Sequence, residues 1–181
     1  MIRGWLDAIR RNHALEHATV AVLLAQSGPR RLAGRAGVDG FVIVGEVDTD
    51  ALDRAAKEAL QRLQAGQASL AVSPLCGTNI VVTAALAALG ATLMLAFGRG
   101  GQRLPNAFLA AMACAVAGQP GGRIVQRHLT TLADHGEVEI VGTHSLFGRM
   151  HKVETRRTPG ASTQGGVPRL VRRVAALWPW R

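Results

Sequence analysis

The chain contains no tyrosine, and aromatic residues make up only 4% of it. No basic-aromatic motif of a nucleic-acid reader occurs, which sets nucleic acid aside as a partner. Cysteine is equally scarce. Cys76 and Cys114 are the only two, too few for a disulfide-stapled secreted scaffold, and a reducing compartment is expected. Acidic residues are short as well, twelve against twenty-one Lys/Arg, for a formal charge of +9. The opening MIRGWLDAIRRNH lacks the apolar run of a cleavable signal peptide. What is present is apolar substance. The composition is 48% hydrophobic over 181 residues, enough for one domain with its own core and against disorder throughout. A mean hydropathy of +0.16 beside a pI near 11.4 is the combination of a small membrane protein with cationic flanks.

The charge is uneven. Residues 1–77 hold nine Lys/Arg against eight Asp/Glu, whereas residues 78–181 hold twelve against four. From Thr78 to Gly98 there is no charged side chain, and about 20 apolar residues at about 1.5 Å each match a bilayer core of about 30 Å. A short GRGGQR follows, and Leu104 to Gly122 is again uncharged. Two such runs joined by a tight loop predict a transmembrane helical hairpin, with small residues such as Ala85, Ala88 and Gly90 suited to close packing. The connecting loop carries fewer cations than the flanks, so the positive-inside rule puts residues 1–77 and 123–181 in the cytoplasm, at the inner membrane. Residues 158–168 read as a flexible linker. The last segment, with Arg169, Arg172, Arg173, Trp178 and Trp180, reads as a basic amphipathic tail for a membrane surface. Four parts follow: an α+β domain over 1–77, the hairpin over 78–122, a returning strand region over 123–157, and the tail over 158–181.

Residues 4–26 read as one helix with Ile9, His13, Val20 and Leu24 near one face, ended by Gly28-Pro29. A β-hairpin is expected around Asp39-Gly40. A second helix begins at an Asp48 or Thr49 cap, carries Leu52, Ala56, Leu60 and Leu63 on its apolar face, and closes at Gly66. ASLAVSP (residues 68–74) reads as a third strand. EVEIVGTH and MHKVETRR read as two more, about a turn at Gly148.

The sharpest motif is His13-Ala-Leu-Glu16-His17. Residues four apart share a helix face, so His13 and His17 can present imidazole nitrogens to one ion, while Glu16 borders that face and can reach a metal-activated water. This is the H-x-x-E-H order of the inverzincins. Such a zinc site needs a third protein ligand. Cys76, in Pro-Leu-Cys-Gly-Thr-Asn, follows the expected third strand, and Gly77 lets the chain turn directly after it. Thr78 and Asn79 are candidates to orient the ligands. His128, His135, His144 and His151 are candidate fourth ligands. Cys114, inside an apolar run, reads as a packing residue, and no nucleophile is assigned to Thr130, Thr131 or Ser145.

His13-Ala-Leu-Glu-His17, Gly40-Phe41, the helix at 49–65 and Cys76-Gly77-Thr78 occur in an order that resembles the S-ribosylhomocysteine lyase (LuxS) and mitochondrial-processing-peptidase-like metallohydrolases over residues 13–78. The resemblance implies an α+β fold with helices on one face of a mostly antiparallel sheet, here with the apolar hairpin inserted. It also implies Zn²⁺ or Fe²⁺ on His13, His17 and Cys76, with Glu16 as general base. Gly37 stands where the lyase carries a second catalytic cysteine. The HALEHAT segment (residues 13–19) beside an apolar hairpin is also similar to an uncharacterised family of bacterial membrane proteins.

The expectation is therefore a membrane-anchored metal-dependent hydrolase or lyase. The lipid bilayer, a membrane-proximal peptide or small-molecule substrate, and a second copy of the chain are its candidate partners. The alternatives are a non-catalytic metal-binding membrane protein serving as sensor or scaffold, and a membrane adaptor acting through its basic tail.

Overall fold

A computed structural model describes residues 2–98 and 100–158 of the chain. The basic tail, and all of the expected linker but Thr158, lie outside the described residues.

The first helix, α1 (Ile2–Ser27), is apolar on two faces. Ala14, Leu15, Ala18, Val22 and Leu23 are buried in the core, at the spacing of one helical stripe. That stripe is distinct from the Ile9, His13, Val20, Leu24 face read from the sequence, whose residues line cavities instead. After α1 the chain forms the expected hairpin of β1 (Ala33–Gly37) and β2 (Gly40–Val44). Gly40 takes φ +136° where its backbone meets the Val153 carbonyl, a conformation closed to other residues. The second helix, α2 (Thr49–Gln64), is capped by the Asp48 carboxylate, which accepts from the Ala51 amide at 2.9 Å. It buries Leu52, Ala56, Leu60 and Leu63, the stripe read from the sequence.

The expected third strand is not one. Residues Ala68–Ala71 form a 3₁₀ turn, closed by Leu70 N–H to Gln67 O at 3.1 Å and Val72 N–H to Ser69 O at 3.3 Å. The Ser73 amide, which a ladder would use, donates to the Gln126 side chain at 2.9 Å. The place beside β2 is taken from far along the chain. β3 (Val138–Phe147) and β4 (Met150–Arg157) turn about Gly148, and the sheet runs β1-β2-β4-β3, all antiparallel. Phe41 pairs with Val153, and both are fully buried. Each fully buried Leu or Phe contributes about 1.5–3 kcal/mol through burial.

The molecule is thus α+β, with a four-stranded antiparallel sheet and α1 and α2 sharing one core with it. The segments before and after the apolar hairpin belong to the same sheet. Asn12 fixes the rotation of α1. Its Nδ2 donates to Gly37 O at 2.8 Å and Val38 O at 3.1 Å, and its Oδ1 accepts from the Thr155 hydroxyl at 2.7 Å. One residue on, His13 is consequently directed away from the sheet edge, toward the 3₁₀ turn and the hairpin roots.

Between the two halves of the sheet lie α3 (Gly77–Phe97) and α4 (Arg103–Val125). Both are long and apolar enough to cross a membrane. They pack closely through glycines. A Cβ on Gly118 would lie 2.8 Å from Thr83 Cα, one on Gly122 2.9 Å from Asn79 Cα, and one on Gly90 2.6 Å from the Cys114 sulfur. Cys114 is accordingly a packing residue. The large side chains, among them Ile80, Val81, Phe97, Phe108 and Val116, are exposed. The second helix outruns its expected end at Gly122, passing through Pro120 to Val125 and on into a π-helical turn, Gln126–Thr130.

Candidate metal centre

Three segments distant in sequence meet at one point. α1 supplies His13 and His17, the residue capping α3 is Cys76, and the turns at 68–71 and 126–130 supply backbone carbonyls. The imidazole centroids stand 4.4 Å apart, as i, i+4 spacing requires. One ligand atom from each of His13, His17 and Cys76 lies within 4.8 Å of the other two, and Cys76 Sγ is 3.4 Å from His13 Nε2. Ligands about 2.0–2.3 Å from a tetrahedral zinc stand about 3.3–3.8 Å from each other, so closing around an ion asks for movement of about 1 Å or less.

The orientation of the rings is specific. His13 Nδ1–H donates to Thr130 O at 3.0 Å and His17 Nδ1–H to Ala71 O at 2.9 Å. A carbonyl only accepts, so the proton of each neutral ring is fixed on Nδ1 and the lone pair on Nε2, facing Cys76. Metal-binding histidines are ordinarily held in this way. Two neutral nitrogens and one thiol, with tautomers preset, fit Zn²⁺ or Fe²⁺. No sequence signal marks the Thr130 and Ala71 carbonyls, because any residue type supplies one.

The electrostatics agree. Burial alone would raise the Cys76 thiol, but the His13 and His17 imidazoles and Thr78 beside it outweigh that and bring its pKa down to about 5. Burial likewise works against charge on His13, yet its bonds to Cys76 and the Thr130 carbonyl raise its pKa. Free of metal, the pair holds a proton between thiolate and ring, and metal binding releases such protons. A lowered pKa means thiolate above about pH 5. At pH 6 an ordinary thiol is roughly 0.3% ionised and this one about 90%, while its weaker basicity takes back about 40-fold in reactivity. Chelated protein carrying Cys114→Ser is therefore expected to be alkylated by iodoacetamide at Cys76 about tenfold faster at pH 6 than an unperturbed thiol, with little gain above pH 6. Zinc is expected to block the reaction. Mass spectrometry of the modified peptide measures both.

Glu16 is buried beside the cluster. Burial raises its pKa, and the neighbouring histidines restrain the rise. Its carboxylate lies against Gly34 of β1, where a Cβ would overlap it, so the absent side chain at position 34 makes the room for Glu16. Together His13, Glu16, His17, Gly34 and Cys76 line a cavity of about 270 Å³ walled by Val20, Leu24, Leu32 and Ile80.

Not every candidate joins this group. His135 donates from Nε2 to Arg11 O at 2.9 Å, and His151 Nδ1 bonds the Thr49 hydroxyl at 3.1 Å. These two, with His128 and His144, stand outside the three-donor cluster found among the described residues. Thr78 stands beside Cys76 and helps to lower the thiol's pKa. Asn79 does not orient a ligand: its amide nitrogen turns to Pro74 O at 3.3 Å and its oxygen packs on Gly122.

Among known proteins, residues 8–143 match the family model of a domain of unknown function, DUF6391. An uncharacterized protein of Picosynechococcus sp. is 40% identical over 135 residues, a match covering 68% of this chain and 65% of that protein. The match therefore spans less than two thirds of that relative. No solved structure matches the chain.

Proposed function

The chain belongs to the DUF6391 family, and from that premise we propose that it is a membrane-anchored metal-dependent hydrolase or lyase. The observation that carries the proposal is the convergence of His13 Nε2, His17 Nε2 and Cys76 Sγ, with both rings locked through Nδ1. His13, His17 and Cys76 hold Zn²⁺ or Fe²⁺ in this reading. Bound there, the ion supplies Lewis acidity, polarising a substrate oxygen and acidifying water. Glu16 is the general base. Its carboxylate is kept in place by the space at Gly34, and its burial-raised pKa moves toward the working pH, where a base is most effective. Thr130 and Ala71 keep the rings oriented while a proton moves.

Kinship with the S-ribosylhomocysteine lyase and processing-peptidase-like metallohydrolases over residues 13–78 is part of this proposal, supported by the order and meeting of His13, Glu16, His17 and Cys76. So are placement in the inner membrane through α3 and α4 and a cytoplasmic location for both flanks, supported by the loop charges. Full-length protein loaded with zinc in detergent is expected to hydrolyse model esters or peptides. It is expected to lose that activity to 1,10-phenanthroline and recover it with added zinc. Activity indifferent to the chelator would reject the metal-dependent reading. A second reading, a non-catalytic metal site for sensing or scaffolding, is favoured by Gly37, which has no acid-base chemistry where the lyase has a cysteine. Stoichiometric zinc without turnover would select it.

A further inference from the structure

A second cavity shares a wall with the first. It is a groove of about 560 Å³ lined by the apolar Leu6, Ile9 and Leu129 and the polar Asp7, Arg10, Thr78 and Thr130, with His13 facing into it. The volume is that of a small-molecule site. His13 also lines the reaction cavity, so this ring stands between the two spaces. The groove lies where α3 starts and the turn after α4 ends, at the root of the apolar hairpin. Leu6 and Leu129 of its lining are exposed, as are Ile80 and Ile124 on the two apolar helices whose ends flank it. Exposed apolar side chains at the mouth of a groove suit an apolar ligand. The polar lining is only partly satisfied, since Arg10 Nε and Thr130 Oγ1 are buried without a partner among the described residues. Arg10 donates to His128 O at 2.9 Å and pairs with Asp7 at 3.5 Å, and Leu132 N–H closes onto Arg10 O at 3.0 Å.

We propose that this groove takes one aliphatic chain of a membrane lipid, entering sideways from the bilayer, and presents the lipid's polar end to the centre at His13. The occupant is argued from position: the groove lies at the ends of the two apolar helices, where they would leave a bilayer, and its exposed Leu6 and Leu129 stand at the same end as the exposed Ile80 and Ile124. An aliphatic chain removed from water gains nothing by leaving one hydrocarbon environment for another, so affinity comes from shape and from the polar lining of the groove. That the lipid is also the substrate rests on the proposed metal-dependent reading; that the chain binds rests only on the proposed membrane placement.

The test uses the full-length protein in vesicles of phosphatidylglycerol containing a trace of the same lipid with a photoactivatable diazirine on one acyl chain. Cross-links are expected on the outer faces of α3 and α4 and also on residues 6–10 and 129–130. Ile9→Trp, which fills the groove, and Leu129→Asp, which charges its exposed lip, are each expected to reduce the groove label at least fivefold while leaving the helix label and the bound metal unchanged. Label confined to the helices, groove label equal in wild type and both variants, or capture of residues 159–181 in place of lipid would each overturn the proposal. Groove labelling in a protein that binds no metal would uphold the lipid site and reject the hydrolase. Bound zinc without groove labelling would overturn the lipid site and leave the metal centre standing.

Discussion

Replacing His13, His17 or Cys76 by alanine, one at a time, is expected to leave full-length protein purified without chelator carrying less than about a tenth of the wild-type metal. The reason is geometric. With three protein donors meeting in one place, removal of any one leaves a two-ligand site, and no other histidine is within reach. His135 is tied to Arg11 O and His151 to Thr49, so alanine at either is expected to spare the metal. The effect far exceeds loss of an orienting partner, which ordinarily costs about 10–100-fold in affinity. Elemental analysis of the five variants beside wild type reads the result directly. Full metal retention in the three ligand variants, or none in the wild type, would remove the basis for a metal centre.

Glu16→Gln is expected to keep the metal and lose about 10²- to 10⁴-fold in turnover, the ordinary contribution of a positioned general base. Glutamine has the same shape, so its fit beside Gly34 is preserved and the change is confined to proton transfer. Glu16 stands outside the converging donor set, which is why metal content and rate are expected to separate here and not in the ligand variants. Measuring zinc and initial rate on one preparation tests this. Equal loss of both would make Glu16 a ligand, and loss of neither would end its role as base.

How much of this was legible in the sequence depends on whether a feature is periodic. His13, Glu16 and His17 fall on one helix face by spacing alone, and the stripe of α2 and both apolar runs are equally regular. Cys76 is singled out by its place after an expected strand and before Gly77, but only the resemblance joins it to the histidines, since 58 residues separate it from His17 and no local rule links them. α1 is apolar on two sides, and the sequence reading gives only the site-facing stripe, not the one that enters the core. ASLAVSP failed as a strand because pairing is a tertiary decision: β4, more than 70 residues on, takes the edge of β2, and Gln126 takes the Ser73 amide. The carbonyls that set the histidine tautomers are backbone atoms. Gly34 is informative only through the side chain it lacks.

The two roots of the apolar hairpin serve the centre differently. One begins at Cys76 and brings the sulfur; the other ends at Thr130 and aligns the His13 ring. Donor and aligner are therefore joined through a single pair of spans whose crossing is set by Gly118 and Gly122 against Thr83 and Asn79. In the proposed bilayer placement, anything that tilts one of these helices against the other, such as a change in hydrocarbon thickness, would shift sulfur and imidazole relative to each other, and the hold on a bound cation would follow the surrounding lipid.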